Sequence, residues 1–481
     1  MPKLPFLPQE GALDFFRRFF DEEVFQLLVQ QTNLYAKQNR LNRWQDVTAK
    51  EMEAFIGMMV GMGLHVVPST EMYWSTNPLF RVQPVADVMP VKRFKKIREA
   101  LHLNNNEKMP KREDTMYDKL YKVCPLMDKL NASFSANAVD SLSQSIDEAM
   151  IKFKGRSTLK QYMPQKPTKR GYKAWVRCDS TTGYVYQFDI YTGKDDTGQV
   201  AVGLGGKVVL SLTQALIGSS CHITFDNFFC STELMETLHA QGMFATGTVR
   251  TNRKDLPELA GETQTMTKGE FKWRTKKNTA YIRWKDTKDV HILTTAFPCE
   301  ETSVKRTQKD GSSATVKCPL AVFQYTNRMG GVDRFDDRRG RYHVSRCSRR
   351  WWLRIFYFFV DCSLVNAHIL FNSVHDNTIT MLTFRQQVFR GLVMSISLRS
   401  RKSNVEGCDW QQRKMCAATA KPAGVPDVRL GFVGIHMPSS LPSFHRCRYC
   451  STRTNNKRSK IMCCSCKVAL CATPCFANFH K

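Results

Sequence analysis

Acidic residues are scarce in this chain. Its 481 residues hold 43 Asp and Glu against 71 Lys and Arg, a formal net charge of +28. That balance points to a polyanionic partner, with nucleic acid placed ahead of an anionic membrane surface. Other features are missing as well. The start, Met1-Pro2-Lys3-Leu4-Pro5, lacks the apolar core of a secretion signal. The best candidate for a membrane span, Trp351 to Phe371, is interrupted by Arg354, Asp361, Asn366 and His368. Ions and strong dipoles are expensive at bilayer depth, so this stretch reads as a buried helix and no membrane partner is expected. Gly198 and Gly203 have the interval of a phosphate loop, but Leu204 stands where its lysine belongs. The 11 histidines show no zinc-protease spacing, and no internal repeat is visible.

Cysteine is unevenly spent. Of 17, ten are scattered singly, as in a reduced intracellular protein, and seven crowd between Cys447 and Cys475. Without a secretion signal, such a cluster indicates metal binding rather than disulfides. Cys447/Cys450 and Cys463/Cys466 form two C-x2-C pairs, followed by Cys471, Cys475 and His480. A tetrahedral Zn²⁺ takes four such ligands, and so small a module would draw its folding energy from the metal. These seven residues are one ligand short of a two-zinc cross-brace, with His445 or Cys464 as the candidate eighth. The alternative is a tail of free thiols.

The length predicts two to four domains, in an α/β or α+β arrangement. Residues 10–143 read as helix: Leu13, Phe16, Phe19 and Phe20 recur at helical spacing, and Thr48-Ala49-Lys50-Glu51 is a capping box before Met52, Phe55, Ile56 and Met59. Val91 to Arg98 reads as a basic amphipathic helix, either a solvated face or a phosphate-contacting one. From Ser145 the pattern turns to strands: 145–153, 174–178 and 184–191, the last two flanking a Thr181-Thr182-Gly183 hairpin signal. A helix is expected within 200–217, a strand at His222–Phe225 and a helix at Ser231–His239. Strand, strand, strand, helix, strand, helix is the order of an RNase H-like core. The expected layout is a helical part at 10–143 and 343–400, to which the resemblance described below assigns dimerisation and DNA binding, the core at 144–252 and 318–342, and a β-rich insertion at 253–317. A linker at 401–443 and the cysteine-rich zinc domain at 444–481 complete it.

Against the general shortage of acid, three segments far apart each set an aspartate beside apolar residues: Ser145-Ile146-Asp147-Glu148, Ile223-Thr224-Phe225-Asp226-Asn227, and Gly330-Gly331-Val332-Asp333-Arg334-Phe335-Asp336. A carboxylate in apolar surroundings is costly unless paired. A divalent cation is a natural partner, and two metals roughly 3.5–4 Å apart can run in-line chemistry on a phosphodiester. Mg²⁺ or Mn²⁺ suits oxygen ligands. Asp147 is expected to bridge two ions, with Asp226 and Asp333 binding one each. Taken singly, each aspartate is equally a cap, a turn or a salt-bridge residue.

In these motifs the chain resembles the piggyBac-type transposases. The likeness extends to Lys154-Gly155-Arg156, Pro164-Gln165-Lys166-Pro167, Cys178-Asp179-Ser180, Phe225-Asp226-Asn227-Phe228-Phe229, Asn327 to Asp336, Arg349-Arg350-Trp351-Trp352 and Tyr73-Trp74-Ser75. It runs from about residue 10 to the end. The resemblance implies a DDE/D transposase with an RNase H-like core, Asp147, Asp226 and Asp333 as catalytic residues and Asp336 as a further metal-site carboxylate. It implies hydrolysis at the transposon end, attack of the freed 3′-hydroxyl on the opposite strand, a reopened hairpin and joining to a TTAA target. It also implies a homodimer, nuclear localisation, and a C-terminal zinc domain that recognises transposon-end DNA. Many members carry a long acidic arm ahead of the first helices, and here those helices begin close to Met1. The alternatives are a domesticated, non-mobile nuclear DNA-binding protein, or a zinc-dependent interaction module on an inert scaffold.

Two acid-free blocks lie beside the motifs. Nine basic residues fall between Glu148 and Asp179: Lys152, Lys154, Arg156, Lys160, Lys166, Lys169, Arg170, Lys173 and Arg177. Seven arginines fall between Arg338 and Arg354, among them Arg339, Arg341, Arg349 and Arg350. Such clusters neutralise phosphates of double-stranded DNA and make binding salt-sensitive. Tyr162, Tyr172, Tyr342, Trp351 and Trp352 are interleaved, either to stack on bases or to fill the core. Lys457, Arg458 and Lys460 would touch phosphates or serve nuclear import.

Overall fold

Short-range chemistry sets the first elements. In the computed structural model, which describes residues 9–193, 203–257, 259, 265–307, 311–397, 436–452 and 455–480 together with Lys3, the chain divides into two compact units, 1–401 and 402–481. The first unit opens with α1 (Ala12–Arg17), α2 (Glu22–Gln38) and α3 (Ala49–Leu64). The capping box at α3 is formed: Glu51 N–H donates to Thr48 Oγ1 and the Glu51 carboxylate accepts from Thr48 N–H, both at 3.2 Å. Then follow α4 (Gln83–Ala86), α5 (Val91–Ala100) and α6 (Cys124–Asn137). On α5, Phe94 and Ile97 are buried while the basic face turns back onto the protein. Arg93 pairs with Glu51 at 2.9 Å, Lys95 with Glu71 at 2.7 Å, and Lys96 donates to the Asn42 and Arg43 carbonyls.

Next come β1 (Ser143–Lys152), β2 (Gln161–Tyr162), β3 (Arg170–Asp179), β4 (Val185–Ile190), α7 (Gly203–Thr213), β5 (His222–Phe225), α8 (Thr232–Ala240) and β6 (Phe244–Thr248). Strands β4, β3 and β1 form an antiparallel meander, and β5 and β6 continue the sheet parallel to β1. The spatial order is β4-β3-β1-β5-β6, an RNase H-like arrangement, and its strands follow the chain order expected from the sequence. The hairpin between β3 and β4 is tied by Asp179, whose Oδ1 accepts from Thr181 N at 3.1 Å and Thr182 Oγ1 at 2.6 Å, with Gly183 at φ +74.

Residues 253–317 contribute β7 (Phe271–Lys276), β8 (Thr279–Lys285), β9 (Asp289–Thr294), β10 (Glu301–Thr307) and β11 (Ser313–Pro319). Strand β9 pairs with β6, so β7–β9 extend the central sheet to nine strands, while β10 and β11 form a separate ribbon. The unit closes with α9 (Leu320–Arg328), α10 (Gly331–Arg341), α11 (Trp351–Val374) and α12 (Met381–Ser397).

Alternation along the strands gives the sheet two apolar faces. Ile146, Trp175, Ile223 and Phe225 pack with α7 and α8 residues such as Val209, Leu234 and Leu238. Ala149, Ile151, Val176 and Cys178 belong to the larger core built around α11 and the N-terminal helices. Helix α11 is long and apolar enough to cross a membrane, yet 94% of its apolar window is buried inside the fold. Its Asn366 is paired with β4, donating to the Val185 carbonyl at 2.8 Å and accepting from Val185 N at 2.9 Å. Trp352 is buried against His102, with ring centroids 5.1 Å apart, which settles its role in favour of the core.

Asp361 on α11 is the charged centre of that core. It meets Arg385 of α12 at 3.1 Å, both side chains being at most 2% exposed, and accepts from Val344 N. Breaking a buried pair leaves an uncompensated ion. Asp361→Ala is therefore expected to lower unfolding free energy by ~3–5 kcal/mol, and Asp361→Leu/Arg385→Met to recover most of it, as read by urea denaturation. A single mutant as stable as wild type would show the pair to be idle.

The second unit holds β12 (Pro438–Arg446), β13 (Arg458–Cys463) and α13 (Cys475–Phe479). Strand β12 begins inside the stretch expected as linker, whose remainder up to residue 435 lies outside the described residues. Its buried apolar residues, Leu470 and Phe479 with Cys447 and Cys475, are too few to stabilise a fold unaided.

Candidate active site and metal centres

Register brings the first two motifs together. Ile146 of β1 is the partner of Phe225 of β5 in a parallel pair. The next residue on each strand is an aspartate, so Asp147 and Asp226 emerge side by side where β5 ends. Glu148 joins them: oxygens of Asp147, Glu148 and Asp226 all lie within 4.8 Å of one another. Consecutive strand residues normally face opposite ways. Here no strand residue stands beside Glu148 on the β5 side, since that pairing stops at Phe225. The sequence motif contains Glu148, but its position next to Asp147 in a strand gave no reason to group the two carboxylates.

The electrostatics are unequal. Burial pushes Asp147 up to about 7, partly opposed by Lys166 and reinforced by Glu148. Asp226 is raised as well, chiefly by burial. Burial also works against ionised Glu148, but Lys173 and Lys166 outweigh it and hold that carboxyl below its usual value. Lys166 Nζ is 3.2 Å from Glu148 Oε1, and Lys173 Nζ is 3.7 Å from Oε2. Glu148 Oε2 is buried and accepts no hydrogen bond. Lys173 is itself buried, with Nζ 3.8 Å from the Trp175 ring centroid and 4.5 Å from that of Phe228.

The turn after Asp226 is fixed from two sides. Asp226 Oδ1 accepts from Phe228 N at 2.9 Å, and Arg253 donates to the Asn227 and Phe228 carbonyls at 3.1 and 2.8 Å. Arg253 carried no sequence signal, lying beyond the core strands.

The third motif arrives on α10. A Cβ at Gly331 would stand 2.3 Å from Ser145 Oγ and 2.7 Å from the Asp179 carbonyl, so only glycine allows α10 to approach β1 this closely. Asp333 sits exposed in the first turn of α10 and lies outside the group of three, although its charge helps raise Lys166. Asp336 pairs with Arg339 at 2.7 Å. Three oxygen donors, one of them without a hydrogen bond and two disfavoured as bare anions, fit a hard divalent cation.

The basic residues divide. Lys152, Arg156, Lys169, Arg170, Arg341 and Arg349 are exposed. Others are engaged within the chain: Arg338 donates to the Thr182 carbonyl at 2.6 Å, Arg339 to Met150 O at 3.2 Å, and Arg350 to Glu99 O at 2.9 Å. Arg341 pairs with Asp337 on the surface.

In the second unit two sets of four ligands assemble: Cys447, Cys450, Cys471 and Cys475, and His436, Cys463, Cys466 and His480. All seven expected ligands take part, in alternating order along the chain. The eighth is His436, not His445 or Cys464. His445 is exposed with Nε2 3.0 Å from Ser443 Oγ, and Cys464 belongs to neither set. His436 was missed because it lies 11 residues before Cys447, in the expected linker. Its Nδ1 stands 3.5 Å from Cys463 Sγ and 3.4 Å from Cys466 Sγ. Amide hydrogens point at the sulfurs: Cys471 N donates to Cys447 Sγ and Cys466 N to Cys463 Sγ. Burial opposes both thiolates, yet the backbone amides of Cys450 and Cys471 draw Cys447 down to about 6, and the Cys466 amide with the His436 ring draws Cys463 down to about 7.

An RNase H-like sheet, carrying carboxylates side by side on two adjacent parallel strands where β5 ends, defines the class of fold. The family model described as Transposase IS4 matches residues 11–368. Human PiggyBac transposable element-derived protein 2 is 30% identical over 391 residues, covering 78% of this chain and 64% of that protein. Human PiggyBac transposable element-derived protein 5 is 28% identical over 414 residues, covering 81% and 76%. The first of these is thus matched over just under two thirds of its length. A chain from the cryo-EM structure of a piggyBac transposase synaptic complex with hairpin DNA superposes at TM-score 0.75 and 22% identity, covering 96% of this chain and 95% of its own. The chain belongs to the piggyBac-type transposase family.

Two expectations follow. At pH 8, where the Asp147 carboxyl is ionised even when buried, Asp147→Asn removes one of three crowded charges. It should stabilise the metal-free protein by ~2 kcal/mol, measured by thermal melts in EDTA; a lower melting temperature would show that the carboxylate is already well paired. His436→Ala should lower the metal held by the second unit below two ions per chain, measured by elemental analysis of the purified chain. Unchanged content would remove His436 from the ligand set.

Proposed function

We propose that the chain is a DNA transposase: a metal-dependent enzyme that cleaves and rejoins DNA strands at transposon ends, with TTAA as its target. The observation that carries this reading is the trio Asp147, Glu148 and Asp226, gathered midway along β1 beside the end of β5. Carboxylates packed this closely in a chain of net charge +28 serve a cation better than they serve stability.

Asp147, Asp226 and Glu148 would hold Mg²⁺ or Mn²⁺, with Asp333 at the rim of the same site. When bound, such ions lower the pKa of a water or a DNA 3′-hydroxyl and neutralise charge at the leaving oxygen. The chain's own groups prepare the setting. Arg253 fixes the turn that aims Asp226, Gly331 lets α10 bring Asp333 to the sheet, and Lys173 orients Glu148. The exposed Lys152, Arg156, Lys169 and Arg170 lie along the segment that follows β1 and would neutralise phosphates of double-stranded DNA. The second unit would bind two Zn²⁺, since mixed thiolate and imidazole tetrads favour that ion, and would recognise the transposon end. Homodimeric assembly and nuclear localisation complete the proposal.

A second reading has support in the names of the human relatives, which are described as transposable element-derived: a domesticated nuclear DNA-binding protein with unused chemistry. The readings separate on strand cleavage. With Mg²⁺ and a duplex carrying the gene's own flanking repeats, Asp147→Ala or Asp226→Ala should reduce end cleavage by at least about 10³-fold. Binding to the same duplex in EDTA should change less than about threefold. Wild-type protein that binds the end yet never nicks it would favour the domesticated reading, and full cleavage by either variant would remove that residue from the site.

A further inference from the structure

Two lysines face the carboxylate trio, and they are held in different ways. Lys173 is 8% exposed in its side chain and boxed by the Trp175 and Phe228 rings. Its ammonium is a fixed part of the wall, with cation–π attraction on one side and Glu148 on the other. Lys166 is one third exposed and sits in the segment between β2 and β3, where Gln165, Pro167 and Lys169 are exposed. Its ammonium reaches Glu148 Oε1 at 3.2 Å. A long flexible side chain of this kind is easily re-aimed.

Three carboxylates against two ammoniums leave the metal-free cluster near balance. Adding a divalent cation overturns that balance, because one cation of charge +2 supplies at the carboxylates what Lys166 supplied and more. The lysine then faces a like charge within a few ångströms and loses its reason to stay. It stands on the same basic, acid-free stretch of sequence as the exposed Lys152, Arg156, Lys169 and Arg170.

We propose that Lys166 is an exchangeable counter-ion: it neutralises Glu148 while the site is metal-free and transfers to a DNA phosphate when a divalent cation binds. Metal and DNA then favour each other's binding through one side chain, and by linkage the effect is mutual. This inference rests on the trio being a cation site, as proposed above, and adds a role for Lys166 that cation binding alone does not require.

The test uses the full chain and Mn²⁺. Titrated without DNA and followed by electron paramagnetic resonance of free Mn²⁺, Lys166→Gln should bind Mn²⁺ at least about threefold more tightly than wild type, because the competing ammonium is gone. Lys166→Arg, which keeps the charge, should stay close to wild type. With a duplex of arbitrary sequence, wild type should show a steeper salt dependence of affinity in Mn²⁺ than in EDTA, by about one phosphate contact, a slope change near 0.9. Lys166→Gln should show no such difference. Unchanged or weaker Mn²⁺ binding by a folded Lys166→Gln overturns the exchange while leaving the cation site standing. Wild-type protein that binds no Mn²⁺ at the trio overturns the cation site and the exchange together.

Discussion

Everything functional in the first unit depends on one parallel strand pairing. The alignment of Ile146 with Phe225 puts two aspartates, 79 positions apart in sequence, side by side, one midway along β1 and one just past the end of β5. A slip of one residue would send one of them to the opposite face of the sheet. The register is held because Ile146, Ile223 and Phe225 must point into the core packed by α7 and α8. Burial of apolar side chains on one face therefore sets the position of charges on the other. The cost of crowding the carboxylates is met by the same core, as is common where a site stores unfavourable contacts.

Around that pairing the chain builds a graded environment. Glu148 is kept anionic by two ammoniums, whereas Asp147 is pushed towards neutrality. Such a separation within one cluster is a mark of functional sites more than of structural ion pairs. The contrast with Asp361 and Arg385 is instructive. There one carboxylate meets one guanidinium deep between helices, and the hydrogen bonds to the carboxylate come from Arg385 and Val344 of the same fold.

Much of the fold was legible in the sequence because its signals are local. Alternation named β1, β4 and β5 nearly to their ends and the second half of β3, the capping box placed α3, and the cysteine-rich tail pointed to seven of the eight residues that gather in the two sets of four. What escaped was set by tertiary geometry. Glu148 looked like a residue on the wrong face, and it joins the site only because β5 stops beside it. Arg338, Arg339 and Arg350 read as a surface for phosphates, but each reaches a backbone carbonyl elsewhere in the fold. His436 carries no motif at all: its role follows from β12 laying the chain beside β13. Residues 253–317 read as an interruption, yet β9 joins β6 and carries the central sheet onward.

The alternating order of ligands in the second unit has a mechanical result. His436 and His480, the outermost pair, clasp the same centre from opposite ends of the segment, while the cysteines of the other centre lie threaded between them. Neither loop can close or open alone without pulling on its companion. Stripping one ion should therefore unfasten both, so that a chelator meets a single latch rather than two independent locks, and the module is either fully formed or lost as a whole.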